Sequence, residues 1–97
     1  MKRIEINEQR LDKLNNVVSS LDTELDNFEK ILSQYYKLNK YYGSKEWFED
    51  KNDYEKGKIK NIKAGVLSED AIWDLDEKTH DLINRMDKIV KRFNENK

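Results

Sequence analysis

At 97 residues, with 36% hydrophobic and 40% charged side chains, the chain can make one domain with a thin core, which helices sharing narrow apolar stripes achieve better than a compact globule. Its 19 basic and 20 acidic residues leave a net charge of -1, so no global field draws it to nucleic acid or to an anionic membrane. Cysteine is absent, which excludes a disulfide framework, a thiol nucleophile and a zinc-finger ligand set.

The first predicted element is a long helix. Leu11, Leu14, Val18, Leu21, Leu25, Phe28, Leu32 and Tyr35 recur at alternating steps of three and four, and the frame extends back through Asn7 to Ile4 and on through Asn39 to Tyr42. A seam with this period faces one direction only if the helix winds slightly around a partner. The helix should begin within the first few residues and end at Tyr42. Gly43 then supplies a left-handed turn, and Ser44 can cap a following helix. About 39 residues make a rod of roughly 58 Å. Its charges lie mainly off the seam and form helix-local pairs such as Asp26 with Lys30, each contributing about 0.3 kcal/mol. Asn7 and Asn39 occupy seam positions where leucine would be more stabilising; they lie near frayed ends or fix register and partner number.

Residues 45–54 read as a short helix with Trp47 and Phe48 as its buried side. The stretch from Lys56 to Gly65 has no helical or strand period and is expected to be a linker. Its lysines, Lys56, Lys58, Lys60 and Lys63, are balanced by acids just upstream, and no aromatics are interleaved to stack bases, so they read as solubilising.

A second long helix is predicted over 69–93. Ser68 is its expected N-cap, Glu69 and Asp70 suit its first turn, and Leu67 is placed to staple onto Ile72. Its seam is Ile72, Leu75, Thr79, Leu82, Met86, Ile89 and Phe93, widened by Ile83 and Val90. The fold class is therefore all-α. Two long antiparallel heptad helices, about 3–42 and 69–93, enclose a short helix and a linker in a single domain over 1–97, a coiled-coil-like hairpin or three-helix bundle. The second long helix is shorter than the first, which would leave Ile4, Leu11 and Leu14 at the amino-terminal end without an intramolecular partner. Exposed stripes of this kind mark interfaces, and self-association as a homodimer is the expected use.

Tyr41-Tyr42-Gly43-Ser44 with Glu46-Trp47 and Asp50, followed by Gly65-Val66-Leu67-Ser68-Glu69-Asp70-Ala71-Ile72 with Asp74-Leu75, resembles the small bacterial proteins of domain-of-unknown-function family 4298. The resemblance covers most of the chain. It implies a small helical, cytoplasmic protein with no assigned activity and no catalytic residues to carry over. In that family a proline commonly precedes the second block, whereas this chain has Ile59 in that region, so the linker departs from the pattern.

Chemistry has few footholds. His80, the one histidine, lies beside the second seam as a spacer. Glu46, Asp50 and Asp53 share a face of the short helix and could, with Asp70, offer oxygens to a divalent cation, but their spacing matches no Ca²⁺ loop and reads as a solvated acidic face. There is no Gly-rich phosphate loop and no paired-histidine motif. No catalytic, cofactor-binding or metal residues are assigned, and no cofactor is expected. The aromatics Tyr35, Tyr36, Tyr41, Tyr42, Trp47, Phe48, Tyr54 and Trp73 collect around the predicted closed end, as a small core or a docking surface.

The function this supports is a protein–protein interaction module, an adaptor or regulator, with Ile4, Leu11, Leu14, Tyr36, Tyr41, Trp47 and Trp73 as the candidate surface. The alternative is a secreted helical hairpin like the WXG-type partners of specialised secretion systems, which Tyr41-Tyr42-Gly43 imitates. The long linker after Gly43 and the absence of any tyrosine after Tyr54 for a tail signal weigh against it. No apolar run approaches the roughly 20 residues of a membrane span. The start, Met1-Lys2-Arg3-Ile4-Glu5, lacks the apolar core of a signal peptide, so the expected address is the cytoplasm.

Overall fold

The computed structural model describes residues 1–96. It is all-helical, in the order α1 (Lys2–Tyr41), α2 (Lys45–Glu55), a single 3-10 turn (Gly65–Leu67) and α3 (Ala71–Glu95). The chain divides into two compact units, Met1–Lys37 and Leu38–Lys97.

The first unit is helix α1 without its last turn. Neither proline nor glycine occurs in its 40 residues, so nothing breaks the ladder of backbone hydrogen bonds. Polar side chains that could compete with that ladder bond back into it instead. Asn7 Nδ2 donates to the Arg3 carbonyl at 2.8 Å, and Thr23 donates to the Ser19 carbonyl at 3.2 Å. The expected Asp26–Lys30 pair forms at 2.8 Å. No residue of α1 is buried. Leu25, on the predicted seam, keeps 36% of its surface.

In the second unit the turn out of α1 follows the sequence closely. Gly43 adopts φ +75, a conformation in which a Cβ would be strained, and Ser44 Oγ accepts from the Trp47 amide at 3.2 Å as the N-cap of α2. The core is small. Among the described residues the buried hydrophobic side chains are Trp47 on α2, Leu67 in the 3-10 turn and Ile72 on α3. The 3-10 turn, which carries Leu67, packs against both α2 and α3.

Two local expectations are corrected here. Phe48 is not on the buried side of α2: it is 59% exposed, because consecutive helical residues point about 100° apart and only Trp47 can take the inward direction. Ser68 is not the N-cap of α3. It has extended backbone and its Oγ accepts from the Asp70 amide at 3.2 Å, closing a local turn, so α3 starts after Asp70, two residues later than expected. The linker is irregular from Lys56 to Ala64, as expected, and leads into the 3-10 turn through left-handed conformations at Gly57 (φ 75) and Asn61 (φ 61). Glu69 and Asp70, expected in the first turn of α3, precede the helix; Asp74 is the acid in that turn, and Arg92 is the base in the last, as the helix dipole favours.

Candidate functional site

The predicted surface residues fall into two groups, one in each unit. In the first unit, Ile4, Leu11, Leu14, Val18 and Leu21 line one seam of α1, and each keeps more than half of its surface. Val17 and Ile31 beside the seam are also exposed and widen the apolar stripe. Tyr36, 63% exposed, stands edge-on to Tyr35 with ring centroids 5.8 Å apart. Arg10 Nη1 donates to Asn7 Oδ1 at 3.2 Å, so the polar residue in this seam is engaged on both ends of its amide within its own helix.

In the second unit Trp47 organises the aromatic group. It is 3% exposed, and Tyr42 and Phe48 meet it edge-on with centroids at 5.1 and 4.9 Å. Its indole Nε1 donates to the Val66 carbonyl at 2.9 Å. Lys51 Nζ lies 5.1 Å from the ring centroid and pairs with Glu69 at 2.8 Å, which holds the ammonium above its usual range and the Glu69 carboxyl below its own. Tyr42 donates its hydroxyl to the Glu69 carbonyl at 2.6 Å. Tyr41 donates to Asp50 at 2.6 Å; the bond favours the neutral phenol and, with some loss of solvent and the carboxylate charge, pushes Tyr41 up to about 12. Asn39, in the last turn of α1, makes a long contact of 3.5 Å from Nδ2 to Asp76.

Of the seven predicted surface residues, Trp47 is spent as core and Tyr41 is half-buried and hydrogen-bonded. Trp73 on α3 is 57% exposed in the second unit, and Ile4, Leu11, Leu14 and Tyr36 are exposed in the first. The aromatics are therefore divided, with Trp47 inside and Tyr36, Phe48 and Trp73 outside. Sequence reasoning missed Lys51, Glu69 and Val66 as members of the Trp47 cluster. Val66 takes part through its backbone carbonyl, which no side-chain pattern can signal, and the Lys51–Glu69 pair spans 18 residues across an aperiodic linker.

The candidate chemical groups are dispersed. The exposed His80 imidazole is 3.5 Å from Asp76, one turn earlier on its own helix. Asp50 accepts from Tyr41 and Asp53 lies 3.7 Å from Lys58. Among the described residues no three His, Asp or Glu side chains converge in a way that could hold a metal ion. A hollow of about 450 Å³ lies over Ala64 and Leu67, rimmed by Lys51, Glu55, Glu69 and Asp70, and is open to solvent. No described helix is long and apolar enough to cross a membrane. Tyr41-Tyr42-Gly43 lies at a turn that leads into the 11-residue α2 and not directly into a second long helix.

The family model described as domain of unknown function (DUF4298) matches residues 4–94, nearly the whole chain, and the chain belongs to that family. No curated protein and no solved structure matches it.

Proposed function

We propose that this member of the family is a non-enzymatic protein-interaction module whose working surface is the apolar seam of α1, offered to a helix of a partner. One observation carries the reading: the seam from Ile4 to Leu21 is heptad-spaced and apolar except at Asn7, yet no residue of α1 is buried. A helix of this kind gains most of its stability by laying its apolar face against another surface. Complete burial of a leucine, isoleucine or valine is worth about 1.5–3 kcal/mol, so half-exposed seam residues would each gain roughly 1 kcal/mol from a partner. Such a stripe fits a second heptad helix, because knobs at a period of 3.5 need holes at the same period. The small aromatic core around Trp47 serves as a scaffold in this reading.

The test places a photo-activatable amino acid at Leu14, or at Asn16 on the opposite face, in cells expressing the protein from its own gene. Leu14 is expected to give a covalent protein adduct of discrete mass and Asn16 none. No adduct at Leu14, or equal adducts at both positions, would overturn the proposal.

A further inference from the structure

We infer that the occupant of the α1 seam is a second copy of this chain, lying antiparallel across residues 4–21; the inference rests on the interaction reading above and names its partner. A heptad face can pair with itself through a two-fold axis, which makes the same patch serve both copies. Charges flanking the seam decide orientation, because in a paired coil they meet across the interface. In a parallel, in-register pair, Arg3 of one copy would face Glu8 of the other, but Glu24 would face Glu29, a like-charge contact made twice that offsets the attraction. In an antiparallel pair that sets Leu11 against Leu14 and Ile4 against Leu21, Arg3 faces Glu24, Glu8 faces Asn15 and Arg10 faces Val17. No like charges meet, and the Arg3–Glu24 attraction is made twice. This register puts Asn7 opposite Val18, where no partner amide is available. Asn7 needs none, since its Nδ2 already donates to the Arg3 carbonyl at 2.8 Å and its Oδ1 accepts from Arg10 at 3.2 Å. A parallel pair would instead stack Asn7 on Asn7, the arrangement in which a seam asparagine bonds across the interface rather than along its own helix.

The chain has no cysteine, so introduced thiols report the register cleanly. Light scattering on the purified full chain is expected to give twice 11.7 kDa, falling to the single mass in Leu14→Glu while the fluorescence of Trp47 and Trp73, both outside the seam, is retained. Mixing Ile4→Cys with Leu21→Cys under mild oxidation should give the mixed disulfide, and Ile4→Cys alone should not dimerise, since a disulfide needs Cβ atoms about 4 Å apart, which facing seam residues provide. A monomer at high micromolar concentration overturns the inference, as does a 4/4 disulfide in place of the 4/21 disulfide. If the purified chain is monomeric but Leu14 crosslinks to a different protein in cells, the second copy is ruled out and the interaction reading stands. If Leu14 crosslinks to nothing, both fall.

Discussion

The indole nitrogen of Trp47 on α2 donates to the carbonyl of Val66, 19 residues later and across the aperiodic linker, at 2.9 Å. That one bond, with the ring's burial, fastens the linker's end to α2 and holds the 3-10 turn where Leu67 can enter the core. Replacing Trp47 by alanine is expected to cost about 3–5 kcal/mol, and by phenylalanine less, because most of the apolar area survives while the Val66 carbonyl loses its donor. Urea denaturation of the two variants, followed by far-ultraviolet ellipticity, orders them; equal losses would mean that the hydrogen bond and not the packing dominates.

Tyr41 makes stability depend on alkaline pH. Its protonated form donates to Asp50, and its pKa rises from 10.0 to about 12. A raised value means that this contribution is complete below pH 10.0 and is lost as pH climbs through about 12. Tyr41→Phe removes the bond, at about 1 kcal/mol near neutrality, and should flatten that part of the stability–pH curve. If the Tyr41→Phe variant still weakens as steeply as the parent between those values, the dependence belongs to another group. Glu69 acts in the opposite sense, since its lowered pKa supplies stability above 4.5 that fades as pH falls.

The turn between α1 and α2 separates backbone from side-chain effects. Gly43 at φ +75 has nothing within 4 Å of where a Cβ would stand, so Gly43→Ala should cost about 1 kcal/mol through conformation alone. Ser44→Ala should cost about 1 kcal/mol through the lost cap on the Trp47 amide. Thermal denaturation of the double variant should show the sum or somewhat less. A cost well below the sum would mean that the two residues hold the turn as a unit, so that losing either already opens it.

These elements were legible from the chain because local rules govern them. Heptad spacing, the left-handed glycine and the capping serine each act within one or two turns, and the boundaries of α1 and α2 fall within one residue of expectation. The start of α3 was misplaced because Ser68 and Asp70 both have cap chemistry, and Ser68 uses its own in a turn before the helix. Phe48 reads as an inward residue by its hydrophobicity, but its angle on the helix, about 100° from Trp47, turns it out. The Lys51–Glu69 pair and the backbone acceptor of Val66 depend on the path of the linker, where no period exists to read.

Seam and core should also respond differently to truncation. Ile72, 4% exposed, should lose about 2–5 kcal/mol on change to alanine. Leu25, 36% exposed, should lose about 1 kcal/mol in the same change. Calorimetry at low protein concentration tests the ordering, and a Leu25→Ala penalty matching that of Ile72→Ala would show that the α1 seam is packed in solution.

The small core, three side chains among the described residues, has a thermodynamic consequence for the isolated chain. Heat capacity rises on unfolding in proportion to the apolar surface newly wetted, and little is hidden to begin with. Its increment per residue should fall well below the usual 12–15 cal/mol/K, giving a broad, shallow stability curve with weak curvature and no cold-unfolding limb within reach. Any increment of ordinary size would have to come from surface that the chain covers by associating.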